Sequence, residues 1–133
     1  MGKRLIQQRR GKGSIYKALK HNSKGNARHA KVNQDEAGVI KDIVTNKLHS
    51  APLLVVKYSD GERLMIAPEG VRVGEKIISG PKAPVSNGNT VALKNVPEGT
   101  AIFNIEKNPG YGGKFCKTSG SAARVITNLK DKI

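Results

Sequence analysis

Short runs of β-branched and other apolar residues recur along the middle of the chain, and turn-forming residues separate them. No run of helical period interrupts this region, and short apolar runs between turns are typical of β-strands. The predicted strands are Gly38–Val44, Leu53–Tyr58, Arg63–Ala67, Val71–Ile78 and Thr90–Val96. Strands at such regular intervals favour an all-β barrel or sandwich, and their number is the one that an OB-type barrel needs.

Glycine positions indicate where these strands turn or bend. Ser59-Asp60-Gly61 lies between two apolar runs, so residues 53–67 are predicted to form a β-hairpin. Gly74 lies inside the fourth run. Because a glycine within a strand often marks a β-bulge, we expect a bulge there.

A second set of short runs follows Pro97, and it predicts the strands Thr100–Glu106, Lys114–Lys117 and Ala122–Leu129. So few strands do not close a barrel. They therefore either complete the first domain or begin a second one. We expect the last strand, near Val125, to lack a partner unless RNA or another chain covers it.

Positive charge is concentrated at the beginning of the chain. The formal net charge is +14, and ten of the 24 Lys and Arg residues lie in residues 1–34, where there is no acidic residue. Such an excess indicates a polyanionic partner, with nucleic acid first and an anionic membrane second. Four glycines interrupt every candidate helix in this stretch. It is therefore predicted to be a basic extension that is disordered alone and orders on contact with its partner.

The sequence argues against several other classes of protein. Cys116 is the single cysteine, so no intrachain disulfide can form, and it is predicted to be a small apolar core residue. His21, His29 and His49 are far apart and have no cysteine partners, so we expect solvent-exposed side chains, no metal site and no cofactor. No apolar run is long enough to span a bilayer.

No arrangement of residues predicts catalysis. The chain shows neither a Ser/His/Asp pattern nor paired carboxylates. Gly110–Lys114 is only a weak echo of a phosphate-binding loop, because it lacks the full motif and leads into no helix. The chain is therefore predicted not to be an enzyme.

Two neighbouring segments near the end of the chain are candidate sites for an anion. The turn Pro109–Gly113 is rich in glycine and precedes Lys114, and successive backbone N–H groups in such a turn can form an anion-binding concavity. Tyr111 can stack on a base, or it can pack on its own barrel. Lys117 is followed by two serines whose hydroxyls suit phosphate or 2′-OH contacts.

Several blocks of residues are long and specific. They are GKRLIQQRRGKGS (Gly2–Ser14), GVIKDIV (Gly38–Val44), APL (Ala51–Leu53), DGERLMIAPEG (Asp60–Gly70) and VPEGTAIFNIEKNPGYGGKFCKTSGSAARVI (Val96–Ile126). With these blocks the chain resembles the N-terminal part of the universal ribosomal large-subunit protein two family, in its archaeal and eukaryotic form. The resemblance runs through almost the whole sequence.

The resemblance implies an OB-fold domain followed by an SH3-like barrel. On this sequence it implies a basic RNA-binding extension at 1–34, an OB-fold domain at 35–96 and the start of an SH3-like barrel at 97–133. Family members are usually well over two hundred residues long, so we expect the second barrel to be incomplete in these 133 residues. By the same resemblance we expect the glycine- and histidine-rich C-terminal extension of the family to lie outside these residues.

The resemblance also implies a function. It implies a structural constituent of the large ribosomal subunit, located in the cytoplasm, that binds large-subunit ribosomal RNA and supports subunit assembly near the peptidyl-transferase centre. The implied partners are that RNA, neighbouring ribosomal proteins and the small subunit through an intersubunit contact, with no membrane. The alternative is a free OB/SH3-like translation factor that binds single-stranded RNA, which the small number of aromatic residues disfavours.

The residues expected to contact RNA combine the basic extension with the two candidate anion sites. They are Lys3, Arg4, Arg9, Arg10, Lys12, Lys17, Lys20, Arg28, Gly110, Tyr111, Gly112, Gly113, Lys114, Lys117, Ser119 and Ser121. Lys117 stands where the family usually has arginine. Lysine binds phosphate as a point charge without the bidentate fork of arginine, so the geometry of that contact is expected to differ.

Overall fold

The protein folds almost entirely as β-strands. The computed structural model describes residues 22–30 and 34–128. The strands are β1 (Glu36–Val44), β2 (Leu53–Tyr58), β3 (Gly61–Ile66), β4 (Lys76–Ser79), β5 (Ala101–Ile102), β6 (Ile105–Glu106), β7 (Gly113–Phe115) and β8 (Ala123–Arg124). A short 3-10 helix covers Leu93–Asn95. The all-β class predicted from the sequence is confirmed.

The first four strands form one antiparallel sheet in the order β3-β2-β1-β4. The predicted hairpin is confirmed as β2 and β3, which are joined by a turn at Ser59 and Asp60, and Gly61 begins β3 with φ of 133°. The predicted bulge at Gly74 is wrong: the bulge lies in β1 between Ile40 and Asp42. Gly74 instead forms a turn before β4, where its N–H donates to the Ile40 carbonyl at 2.8 Å.

The sheet buries apolar residues on both of its faces. One face carries the larger core cluster, which contains Ile40, Leu54, Val56, Tyr58, Met65 and Ile77. In that cluster the Tyr58 hydroxyl lies 2.9 Å from the Ser79 hydroxyl, and burial raises the pKa of Tyr58. The other face carries a second cluster around Leu53 and Ile66, which are fully or almost fully buried.

Two predicted strands differ from the structure. Residues 71–75 form a turn instead of a strand, and the Glu75 carboxylate holds it by accepting the Arg72 N–H at 3.0 Å. Thr90–Val96 makes only one bridge, from Thr90 to Ser79, before the 3-10 helix. Pairing stops after Thr90, where the Lys82 N–H donates to the Asp35 carboxylate at 2.9 Å instead of continuing the ladder. Side-chain acceptors of this kind compete with strand pairing.

The C-terminal strands form two short ladders, β5 with β8 and β6 with β7. The predicted strand Thr100–Glu106 is broken at Asn104, a buried residue with φ of 51°. The expectation that Val125 lacks a partner is wrong, because it donates to Thr100 at 3.0 Å and accepts from Gly99 at 2.7 Å. Cys116, predicted in the core, is only half-buried.

The end of the basic extension is part of the fold. In the segment 22–30, Ala27 and Ala30 are buried and belong to the second and the larger core cluster respectively. The Arg28 N–H donates to the Leu64 carbonyl of β3 at 2.9 Å. The prediction of a disordered segment is therefore wrong for residues 22–30, while 1–21 and 31–33 lie outside the described residues. The small side chains of Ala27 and Ala30 let this segment pack closely against both core clusters.

Candidate nucleic-acid interface

The glycine-rich turn between β6 and β7 holds an anion that belongs to the chain itself. One carboxylate oxygen of Glu106 accepts the Gly110 N–H at 2.8 Å, and the other accepts the Gly112 N–H at 2.9 Å. The predicted concavity therefore exists, and a carboxylate fills it. The groups left to meet a ligand are the Lys114 side chain, which is exposed, and the Tyr111 ring, which is 84% exposed. The exposure of this ring shows that Tyr111 does not pack on the strands around it.

Replacing Glu106 by glutamine is expected to loosen this turn. A glutamine side chain offers one acceptor oxygen and turns an amide N–H₂ toward the other backbone donor. The Gly110 and Gly112 amides should then exchange with solvent at least several-fold faster, as measured by hydrogen exchange with NMR detection. Glu69→Gln is the matched control, because the Glu69 carboxylate accepts no hydrogen bond among the described residues. Unchanged exchange in Glu106→Gln would contradict the assigned role.

Arg28 lies beside the same turn. Its Cγ is 3.8 Å from the point that a Cβ on Gly112 would occupy, and its side chain is exposed. The next residue, His29, fixes this position because its Nε2 donates to the Asn104 carbonyl at 2.6 Å. The Nδ1 of His29 is buried and has no partner in the described part of the chain. The expectation of a solvent-exposed His29 is therefore wrong, and the structure joins Arg28 to the turn.

The loop after β7 rests on the loop between β1 and β2. The Ser119 N–H donates to the Ser50 hydroxyl at 3.0 Å. The Ser121 hydroxyl donates to the Thr118 carbonyl at 2.7 Å, which leaves its lone pairs free to accept. The Lys117 side chain is half-buried. Through Ser119, the loop that carries Lys117 and Ser121 is thus joined to the loop between β1 and β2.

The cations of this region are not neutralised within the described residues. The ion pairs among the described residues join Lys41 to Glu62 and Arg63 to Asp60. Both lie away from this region, on the main sheet or its hairpin turn. The stretches 43–59 and 107–130 contain no acidic residue, and neither does 1–34. The structure brings parts of these three stretches together. The spacing of acidic residues marks these three stretches in the sequence, whereas their meeting depends on the tertiary fold.

Several predicted contact residues cannot be placed. Lys3, Arg4, Arg9, Arg10, Lys12, Lys17 and Lys20 lie outside the described residues. Within residues 22–30 and 34–128, no three His, Cys, Asp or Glu side chains form a group able to hold a metal ion. The same residues include no helix with the length and apolar character to cross a bilayer.

Known proteins resemble this chain along nearly its whole length. The large ribosomal subunit protein uL2 of Methanosphaera stadtmanae is 42% identical over 139 residues, covering 99% of this chain and 58% of the relative. The uL2 protein of Methanocella arvoryzae is 45% identical over 132 residues, covering 96% and 56%. That of Haloquadratum walsbyi is 40% identical over 137 residues, covering 100% and 56%. The chain spans a little more than half the length of these relatives.

A family model also matches, and it corrects one expectation. The model describes the C-terminal domain of ribosomal proteins L2, and it matches residues 86–133. The resemblance predicted from the sequence was to the N-terminal part of the family, and that placement is wrong for these residues. Identity with curated relatives over nearly the entire chain, together with the matched domain, shows that the protein belongs to the uL2 family of large ribosomal subunit proteins.

Proposed function

We propose that the protein is a structural constituent of the large ribosomal subunit that binds large-subunit ribosomal RNA. One observation supports this most directly: parts of three stretches without acidic residues meet on one region, where Arg28 lies beside the turn that presents Tyr111 and Lys114. Arginine and lysine contacts to phosphate position a protein on RNA without reading its sequence.

The chemistry of the region suits RNA better than a smaller anion. The Tyr111 ring is exposed at the tip of a turn, where an unstacked base can lie against it. The hydroxyls of Ser119 and Ser121 can meet a phosphate or a ribose 2′-OH. The residues act by binding and orienting, and no bond-breaking step is assigned to them.

The family context extends this proposal to partners and place. The relatives are named large ribosomal subunit proteins. We accordingly place this chain on the cytoplasmic ribosome, beside neighbouring ribosomal proteins, in a role that supports subunit assembly and the architecture near the peptidyl-transferase centre. The proposal includes a contact with the small subunit.

The finer fold assignment is part of the same proposal. The sheet β1–β4 and its core are assigned to an OB-fold domain over 35–96, preceded by the basic extension at 1–34. The ladders β5–β8 and β6–β7 are assigned to an SH3-like barrel that begins at 97. The family model matches from residue 86, eleven residues before the boundary proposed here.

Binding should weaken steeply with salt. The purified chain would be titrated against transcribed archaeal large-subunit ribosomal RNA between about 50 and 400 mM salt. Each neutralised phosphate contributes roughly −0.9 to −0.7 to the log–log slope, so several contacts should give a slope steeper than about −3. A flat slope would refute the proposal.

A second measurement separates the proposed role from that of a free translation factor. A structural constituent should remain with large subunits during sedimentation through high-salt sucrose gradients. A factor that acts off the ribosome should wash off.

A further inference from the structure

We infer that the loop between β1 and β2, residues 45–52, is an additional RNA-binding element, with Lys47 as its phosphate contact and Asn46 as the residue that positions it. This inference rests on the proposed function and adds a site to it. The ligand is the phosphodiester backbone of RNA. The argument depends on the hydrogen bonds of Asn46 and on the loop's two neighbours.

Asn46 joins this loop to the end of the basic extension. Asn46 is 1% exposed, and both its side-chain oxygen and its side-chain nitrogen form hydrogen bonds. Its Nδ2 donates to the Gly25 carbonyl at 3.1 Å, and its Oδ1 accepts the Lys24 N–H at 3.4 Å and the Leu48 N–H at 3.2 Å. Asparagine can serve as donor and acceptor at once, whereas aspartate would lose the donor and bury a charge.

The other side of the loop is fastened to the loop after β7. Ser50 accepts the Ser119 N–H, as described above. The His49 N–H donates to the Asn46 carbonyl at 3.2 Å, so residues 46–49 form a closed turn. Lys47 lies at the tip of that turn with an exposed side chain. The tip therefore stands between two elements that the proposed function already assigns to RNA.

Lys47 also has no carboxylate to neutralise it among the described residues. The ion pairs of the described chain involve Lys41 and Arg63, and no acidic residue lies between Asp42 and Asp60. An unpaired lysine on a hydrogen-bonded turn, next in sequence to the Asn46 that binds the Lys24 backbone, adds to the local potential that attracts phosphate. The alternative is that the tip contacts a protein, because the apolar side chain of Leu48 is next to Lys47 and 40% exposed.

Lys47→Gln tests the inference in the full chain. With the same ribosomal RNA, this variant should bind about three- to tenfold more weakly near physiological salt, and its log–log salt slope should be shallower by about one unit. Lys76→Gln is the matched control, because Lys76 is also exposed but lies on β4. Unchanged affinity and slope for Lys47→Gln, with a steep slope for the unaltered chain, would overturn this inference and leave the proposed function intact. A flat slope for the unaltered chain would overturn both.

Two further variants test how the loop acts. In an Asn46→Ala background the effect of Lys47→Gln should shrink toward none, because the tip is no longer held; a merely destabilised protein would keep the full effect in its folded fraction. Persistence of the full effect would refute the positioning role. If Leu48→Ala impairs incorporation into subunits while Lys47→Gln does not change RNA affinity, the tip binds a protein and the inference is wrong.

Discussion

Replacing Leu53 by alanine is expected to lower the free energy of unfolding by about 2–5 kcal/mol. Leu53 is completely buried at the start of β2, on the face of the sheet opposite to its neighbour Leu54. It packs in the cluster that also contains Ala27 and Ile66, with Phe103 against it. The alanine would leave a cavity where three parts of the chain meet, and the hydrogen-bonded strands around it can collapse only partly into that space.

The same substitution should also release the basic segment. Because Ala27 packs in this cluster, the Arg28 N–H should exchange faster once its hydrogen bond to Leu64 is weakened. Urea unfolding measures the first effect, and hydrogen exchange at the Arg28 amide measures the second. Val39→Ala is the control, since Val39 is 42% exposed and should cost less than about 1 kcal/mol. Equal losses in the two variants would contradict the assignment of this core.

Gly113→Ala should disrupt the anchor of the glycine turn. A Cβ on Gly113 would lie 2.7 Å from the backbone oxygen of Asn104, a distance that real side chains do not tolerate. Asn104 is itself held in a left-handed conformation, and its carbonyl accepts the hydrogen bond from His29. We expect a loss of about 1–3 kcal/mol and a displaced His29, with weaker RNA binding as the result because Arg28 moves away from the turn.

Gly61→Ala provides the comparison for this variant. Position 61 also requires glycine, but for a different reason: its φ is 133°, which strains other residues. A Cβ on Gly61 would contact no other atom. This control should lose stability through backbone strain and keep its RNA affinity. NMR of the His29 ring together with RNA titration checks both variants. Retention of the His29 signal and of affinity in Gly113→Ala would show that the contact between Asn104 and Gly113 is not what aligns the site.

The sequence predicts local features of the fold better than those that depend on distant partners. The hairpin of β2 and β3 follows from a short turn signal between two apolar runs, and it forms where expected. The alternation of Ala101, Phe103 and Ile105 suggests one strand, yet Asn104 breaks it because its backbone meets Cys116 and His29. Those contacts arise only from the tertiary fold.

The candidate site shows the same division. The local sequence was enough to identify the glycine-rich turn and the lysines that follow it, Lys114 and Lys117. It did not show that Glu106 fills the turn, because a nearby carboxylate looks in sequence like any other acidic residue. The role of Asn46 could not be predicted either. Its partners Lys24 and Gly25 lie in a segment whose polar, glycine-rich sequence predicts disorder.

The contact between His29 and Asn104 has a consequence for synthesis of the chain. Its two residues are 75 positions apart, and a ribosome adds roughly 5–20 residues per second. At that pace Asn104 is synthesised on the order of 4–15 s after the segment 22–30, so the hydrogen bond from His29 cannot form before then. During that interval the arginine and lysine of the segment are open to any polyanion nearby, so the timing of translation decides what this segment meets first.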